Sequence, residues 1–256
     1  GGEWRVEHPR GRWEILDAFA EACVAQGIPR SDDFNRGCNE GVGYFQVNQR
    51  GGWREATNGA FLKPIKQRRN LRIVTGAQAT GLHFEGARAT GVSVTLHNDP
   101  ARKAAARGRE IVICAGAINS PKLQMLYTIG TAEELARFGI ATVAISEGVG
   151  RTLQDHLQLR LSFRVSGVKT LNTQAAGLWG KAKIAAEYAA FRSGPMSMAP
   201  SQLGAFTRSH EGAATPDLEY HVQPLSLDAF GDPLHRFNAF TASVCDLRPE
   251  SRGSVT

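Results

Sequence analysis

The sequence predicts a mixed fold, α/β in the middle of the chain and α+β beyond it. Short apolar runs at residues 71–74, 79–84, 89–96 and 110–114, separated by glycine and polar turns, are typical of consecutive strands. The last run, residues 111–114, is apolar without alternation, as expected of a strand covered on both faces. Two more strands are predicted at residues 217–223 and 237–245. This change in element order predicts a soft domain boundary near residue 160.

Helices are predicted on both sides of this middle segment. In residues 13–27 the apolar side chains share one face of a 3.6-residue period, and a glycine ends the helix. A second helix begins at Thr131, where Glu134 completes a capping box. A third is predicted within residues 171–194. A turn-rich stretch after the first helix leads into a strand at residues 44–47.

Small residues join the predicted apolar strand to a helix start. The stretch Ala115-Gly116-Ala117-Ile118-Asn119 precedes Ser120-Pro121, and Ser favours the N-cap while Pro favours the first helical position. Such a helix N-terminus lets the backbone approach an anion or a cofactor closely. On residue types alone, an ordinary βα turn is the better supported of these two interpretations.

The composition is that of an ordinary globular protein. The chain has 256 residues, of which 42% are apolar, enough for one large domain or two smaller ones. Its net charge of +6 comes from scattered basic residues without a basic stripe of stacking aromatics, so we expect no nucleic-acid partner. The densest basic run, residues 63–72, is interpreted as solvated surface. The alternative is that it adds positive potential near an anionic cofactor.

Cysteine spacing and hydropathy predict a cytoplasmic protein. The four cysteines lie far apart without CxxC or zinc-site spacing, so we expect free thiols and no metal. No apolar run approaches the roughly 20 residues that span a bilayer. No signal peptide opens the chain. We therefore expect no transmembrane segment.

The residues alone supply no catalytic motif, since a Ser/His/Asp order, HExxH, a P-loop and a dinucleotide GxGxxG are all missing. Two longer motifs are nevertheless specific: Ala115-Gly116-Ala117-Ile118-Asn119-Ser120-Pro121 and Gly148-Val149-Gly150-Arg151-Thr152-Leu153-Gln154-Asp155-His156. With residues 32–35, 41–49, 60–71, 75–77 and 247–253, they resemble the glucose-methanol-choline (GMC) oxidoreductase family, in its choline or alcohol dehydrogenase-like branch. The resemblance covers nearly the whole chain.

The resemblance implies part of an FAD-binding, Rossmann-like domain plus a GMC substrate-binding domain with an antiparallel sheet. We expect residues 1–65 to be a connecting and substrate-side segment, residues 66–160 to belong to the FAD-binding domain and residues 161–256 to the substrate-binding domain. The family's FAD fingerprint would precede this chain and its catalytic histidine would follow it. We therefore expect an interior fragment without catalytic residues, inactive on its own.

The function implied by the resemblance is FAD-dependent oxidation of a small-molecule alcohol to an aldehyde or ketone, as in choline dehydrogenase. The cofactor would supply the redox chemistry and the protein the positioning. Neither the alcohol nor the electron acceptor follows from any residue. The alternative is a catalytically inactive remnant or binding module.

Five residues are carried over from the family by position. Ala79 is the residue whose backbone would meet the adenine ring, where the family usually has valine. Cys114, Ala115 and Gly116 match the small-residue strand end that packs against the bound dinucleotide. His221 matches a strand that lines the substrate cavity in some relatives, where a neutral imidazole could hydrogen-bond a substrate hydroxyl. A purely structural histidine is at least as well supported.

The chain departs from the family pattern after Leu126. The family usually has Ser-Gly before Ile-Gly, whereas Tyr127-Thr128 stands here. A glycine lost from a turn costs about 1 kcal/mol where the position needs positive φ. Either the backbone has shifted, or the constraint on this turn is relaxed.

Overall fold

The computed structural model describes residues 2–229 and 231–256, in a mixed α/β arrangement with antiparallel sheets, as predicted. Within those residues the α-helices are α1 (Glu14–Ala25), α2 (Gly116–Leu126), α3 (Ala132–Arg137), α4 (Leu171–Gln174) and α5 (Gly177–Phe191). The strands are β1 (Gly41–Tyr44), β2 (Gln49–Arg50), β3 (Trp53–Arg54), β4 (Ala77–Glu85), β5 (Arg88–Leu96), β6 (Asp99–Arg107), β7 (Ile129–Gly130), β8 (Ala144–Ile145), β9 (Gln158–Arg164), β10 (Leu203–Thr207), β11 (Leu218–Gln223) and β12 (Ala239–Asp246).

The chain forms two compact units. Unit 1 consists of Gly1–Arg68 and His156–Arg248, and unit 2 consists of Arg69–Asp155 and Pro249–Thr256. Each unit therefore combines segments that are distant in sequence. The assignment of residues 1–65, 66–160 and 161–256 to separate functional domains stays a prediction.

Unit 1 is built on a five-stranded antiparallel sheet with two unlike faces. Its strand order is β1-β10-β11-β12-β9. Alternate residues along each strand have their side chains on the same face of the sheet. One of the two faces is apolar and packs against α1. This core contains Leu16, Ala20 and Cys23 of α1 and Val42, Leu203, Ala205, Val222 and Ala242 of the sheet. The opposite face carries mainly glycine and polar side chains, together with Phe206.

Helix α1 confirms the prediction for residues 13–27, and a sheet residue supports its beginning. Trp13 occupies the N-cap position without a capping side chain. Its backbone N–H instead donates to Tyr44 Oη at 3.2 Å, and that hydroxyl donates to Asp17 Oδ1 at 3.0 Å. Burial raises the pKa of Tyr44 to about 12. A β1 residue thus satisfies a free N–H at the helix start.

Unit 2 contains the antiparallel meander β4-β5-β6 and the parallel pair β7-β8. Thr131 caps α3 as predicted, because its Oγ1 accepts from the Glu134 backbone N–H at 3.3 Å, while Glu134 Oε2 accepts from the Thr131 hydroxyl at 3.2 Å. In the loop that follows, Gly139 has a positive φ of 65°. Local capping residues therefore fix the bounds of α3 as predicted.

Two predicted strands of unit 2 are wrong. Residues 71–74 and 111–114 are not in strands, and Val112 is 80% exposed. A strand covered on both faces needs partner strands, and no strand of the described residues pairs with residues 111–114. The third strand of the meander is instead β6, which the sequence pattern did not indicate. Its polar, alanine-rich sequence lies at the exposed edge of the sheet.

Helix α2 also begins earlier than predicted. Its first residue is Gly116 and Pro121 lies inside it, whereas the sequence placed Ser120 at the N-cap. Ser120 still serves the helix start, because its Oγ accepts from the Ala115 backbone N–H at 3.1 Å. The small residues therefore form the first turn of the helix rather than a turn before it.

Candidate functional site

The predicted cofactor residues Cys114, Ala115 and Gly116 lie together at the start of α2 in unit 2. All three are exposed, and Ala115 occupies the N-cap position. Gly116 has a φ of 85°, and a Cβ placed on it would meet no atom within 4 Å. This conformation favours glycine, and the space around it is open to a ligand.

A cleft of about 520 Å³ adjoins this helix start. Its walls combine the first turns of α2 with a glycine-rich loop, and its lining residues are Ala117, Pro121, Gln124, Ser146, Gly148, Val149, Gly150, Thr152, Leu153, Gln154 and Val255. Gly150 has a φ of 77°, and a Cβ there would lie 2.7 Å from Met125 Sδ. The loop therefore packs against α2 only because this residue has no side chain.

This arrangement fits the phosphate-bearing part of a dinucleotide cofactor. The first backbone N–H groups of a helix lack partners within the helix, and the helix dipole favours an anion there. Small residues let the backbone approach such a group closely. Cys114, Ala115 and Gly116 would hold the cofactor at this point, with Ala117 on the adjoining wall of the cleft.

Ala79 lies in β4, beside an irregularity of the meander. It pairs with Val94, and the register shifts between Ala79 and Gly81. Tyr127 contacts this irregularity of β4: its hydroxyl donates to the backbone carbonyl of Thr80. Ala79 is half-buried, and its proposed backbone contact with adenine stays a prediction.

Thr128 stands where the family usually has glycine, and its backbone keeps a conformation that favours glycine. Thr128 has a φ of 94°, which is a genuine outlier for a β-branched residue. Its Oγ1 is buried without a partner in the described structure. The glycine-type turn is thus kept with a threonine in it, and Tyr127 gains the contact with Thr80.

His221 lies on the polar face of the sheet in unit 1, on strand β11 as predicted. Its Nε2 is 3.1 Å from Glu219 Oε1, and the side chains are 31% and 15% exposed, respectively. The Phe45 ring centroid is 5.8 Å from that of the imidazole. His221 and the residues at α2 therefore belong to different units.

Sequence reasoning missed Glu219 as a member of this site. The available signal was the alternation within the predicted strand, because residues two apart in a strand share a face. Glu219 and His221 are two such residues. Carboxylate and imidazole side chains at that spacing are within reach of each other.

A second polar network holds the loop between β11 and β12. Ser226 Oγ is 2.8 Å from His235 Nδ1, and His235 Nε2 is 3.1 Å from Asp228 Oδ1. This order resembles a hydrolase triad, but Ser226 is fully buried and its Oγ also accepts from Asn172 Nδ2 at 3.2 Å. A buried serine is out of reach of a substrate, so the network anchors the loop.

The described residues hold no group of three His, Cys, Asp or Glu side chains that could bind a metal ion. Cys23, Cys38, Cys114 and Cys245 are free cysteines. Burial raises the pKa of the Cys23 and Cys245 thiols. In the described part of the chain, no helix is long and apolar enough to cross a membrane.

Comparison with solved structures identifies the class of protein. The fold matches that of pyridoxine 4-oxidase from Mesorbium loti with a TM-score of 0.80 and 26% identity, over 99% of this chain and 46% of that one. Solved structures whose names record FAD share this fold. The chain therefore has the fold of these oxidoreductases.

Sequence comparison then shows the family. A family model described as GMC oxidoreductase matches residues 3–158, more than half of the chain. The chain belongs to the GMC oxidoreductase family, as the sequence motifs predicted.

Two curated relatives are similar over nearly the whole chain. An oxygen-dependent choline dehydrogenase of Brucella anthropi is 36% identical over 242 residues, covering 94% of this chain and 43% of the relative. An alcohol dehydrogenase [acceptor] of Pseudomonas putida is 32% identical over 254 residues, covering 99% and 46%. The chain thus spans less than half the length of these relatives.

Proposed function

We propose that this chain is the part of an FAD-dependent oxidoreductase that holds one section of the cofactor and presents a polar surface to an alcohol. The reaction would convert the alcohol to an aldehyde or ketone, as in choline dehydrogenase. The observation that carries this proposal is the open start of α2, where Gly116 takes a conformation that favours glycine, beside the 520 Å³ cleft. Family membership and the names of the two relatives support it.

Each predicted residue has one task in this proposal. The Gly116 backbone N–H would bind an anionic oxygen of FAD, since this helix start is exposed, and Ala115, whose own N–H donates to Ser120 Oγ, would pack against the cofactor. Cys114 would pack against the cofactor, and the Ala79 backbone would meet the adenine. His221 would hydrogen-bond the hydroxyl of the alcohol. Bound FAD supplies the chemistry of hydride acceptance.

No residue of this chain is assigned as the group that takes the hydroxyl proton. The electron acceptor is likewise unassigned, and a cytoplasmic location stays a prediction. The small-molecule alcohol is the partner that the relatives' names support, and we expect no nucleic-acid partner.

A catalytically inactive remnant or binding module is the second candidate function. It is favoured by large apolar side chains that unit 2 leaves on its surface, among them Val112, Ile118, Phe138 and Ile145. These side chains would be removed from water if unit 2 packed against other protein. In this case the 256-residue chain would act only through such a contact.

Titration of the purified chain with FAD separates the two candidates. We expect flavin fluorescence to be quenched in a saturable way, and visible flavin bands to remain after dialysis. Turnover is then sought with choline, benzyl alcohol and an artificial acceptor. A chain that binds no FAD would contradict the proposed cofactor role, and one that binds FAD without turnover would favour the binding module.

A further inference from the structure

Glu219 and His221 form a carboxylate–imidazole pair on the polar face of the sheet. The two residues are neighbours on one side of β11, and Glu219 Oε1 is 3.1 Å from His221 Nε2. Glu219 is the more enclosed partner and His221 the more open one. The carboxylate therefore forms the back of the pair, and the imidazole forms its solvent side.

The strands beside β11 place no large side chain of their own next to the imidazole. His221 lies opposite Gly204 of β10 and Ser243 of β12, and Gly204 lies opposite Gly43 of β1. Residues directly opposite each other project from the same face. One side of the imidazole is therefore bordered by two positions without side chains.

Phe45 fills the space above Gly204. A Cβ on Gly204 would lie 2.0 Å from the Phe45 ring, so this glycine is what allows the ring to lie on the sheet. The ring is tilted by 43° to the imidazole. Phe45 thus provides an apolar wall beside a polar group, as small-molecule sites commonly do.

The contact with Glu219 decides which imidazole nitrogen carries a proton. A lone pair on Nε2 would face and repel the carboxylate oxygen that lies 3.1 Å away, so the neutral ring favours a proton on Nε2. In the neutral ring, the other nitrogen, Nδ1, then has a free lone pair and can only accept. Cys245 lies opposite Glu219 on β12 and stays a neutral thiol, because burial and the carboxylate raise its pKa.

We propose that Glu219 is a positioning residue that keeps His221 in the Nε2–H form, so that Nδ1 accepts a hydrogen bond from the hydroxyl of a substrate. This inference rests on the proposed alcohol oxidation. It adds to that function the acceptor atom, Nδ1, and the residue that fixes the imidazole tautomer, Glu219. Carboxylates fix imidazole tautomers in the same way at other protein sites.

Nitrogen-15 NMR of the intact 256-residue chain, labelled at histidine, tests the pair without flavin or alcohol. A His221→Gln variant assigns the His221 resonances. We expect Nε2 to give the signal of a protonated nitrogen and Nδ1 that of an unprotonated one. The opposite pattern in the unaltered chain would overturn the proposal, and this test needs no variant at Glu219.

Variants at Glu219 test its role. Glu219→Leu removes the acceptor, so the preference for the Nε2–H form should be lost. Glu219→Gln keeps a carbonyl oxygen at the same distance along the side chain and should restore that preference. Glu211→Gln, in an exposed loop, is the matched control and should leave His221 unchanged. An unchanged tautomer in a folded Glu219→Leu chain would exclude Glu219 as the positioning residue.

Addition of choline or benzyl alcohol to the labelled chain tests the acceptor atom. We expect the Nδ1 resonance to move in a saturable way, and to move less in Glu219→Leu. If neither alcohol moves it, His221 is not the hydroxyl acceptor. Failure of the proposed function would be seen separately, as absent FAD binding in a chain whose His221 tautomer is as expected.

Discussion

The backbone carbonyl of Thr128 accepts a hydrogen bond from the Val143 backbone N–H at 2.9 Å, while Thr128 itself has a φ of 94°. The Ala144 N–H reaches the same carbonyl at 3.3 Å. This connection to the start of β8 holds Thr128 in a conformation that suits glycine. The turn is therefore strained by its own residue and kept in place by its neighbours.

Thr128→Gly should raise the free energy of unfolding by about 1 kcal/mol. Releasing about 1–3 kcal/mol of backbone strain outweighs about 0.5–1 kcal/mol of added freedom in the unfolded chain. The buried hydroxyl without a partner is removed as well. Urea denaturation measures the change. Thr128→Ala is the control, because it removes the hydroxyl but keeps the Cβ, and an equal gain there would attribute the effect to the hydroxyl.

Gly116→Ala should weaken FAD binding by about tenfold or more, which corresponds to about 1.4 kcal/mol. A Cβ there would meet no protein atom but would occupy the space where the cofactor is proposed to approach. Gly86→Ala is a matched control in the same unit, with a φ of 60° and nothing within 4 Å. Both variants should lose similar stability, while only Gly116→Ala loses FAD in a fluorescence titration. Equal FAD affinities of the two variants would contradict the proposal that FAD binds at the start of α2.

Tyr44→Phe should lower stability by about 1–2 kcal/mol, because it removes the partner of the Trp13 N–H and of Asp17. The raised pKa stabilises the fold fully below pH 10, where the unfolded phenol is protonated, and this part is lost as the pH rises towards 12. Absorbance titration of the four tyrosines should show a phenolate that forms near pH 12. That late step should be missing in the variant. A late step that persists would assign it to another tyrosine.

Ser226→Ala should lower the free energy of unfolding by about 1–2 kcal/mol, the cost of leaving a partly buried polar atom without a partner. His235 Nδ1 loses its contact with Ser226 Oγ, while Asn172 Nδ2 keeps the backbone carbonyls of Ser226 and His235. Thermal unfolding measures the effect, with the exposed Ser251→Ala as the control. If the two variants melt alike, the network does not anchor the loop.

The elements predicted correctly are those whose signals are local. Helix α1 has its apolar period and α3 has its capping residues, Thr131 and Glu134, within a few positions of each other. Residues 111–114 were predicted as a strand from their own apolarity. Their state depends instead on partner strands elsewhere in a chain, and no local pattern encodes that dependence.

The candidate site could be predicted only where its residues lie within a sequence motif. The stretch from Ala115 to Pro121 led to α2, although the helix start was placed several residues too late. The glycine opposite His221 depends on the register of β10 and β11. Register is decided by contacts between distant segments, so no local pattern predicts Gly204 beside His221, whereas the alternation within β11 was an available signal for Glu219.

Because the two faces of the five-stranded sheet differ, adjacent positions of β11 should respond differently to substitution. Tyr220 and Val222 face the core, so substitutions there should mainly reduce the amount of folded protein. Glu219 and His221 face the other way, and changes at these two positions should leave abundance nearly intact. Variation between related chains at Glu219 and His221 can therefore accumulate separately from variation at Tyr220 and Val222, one residue away.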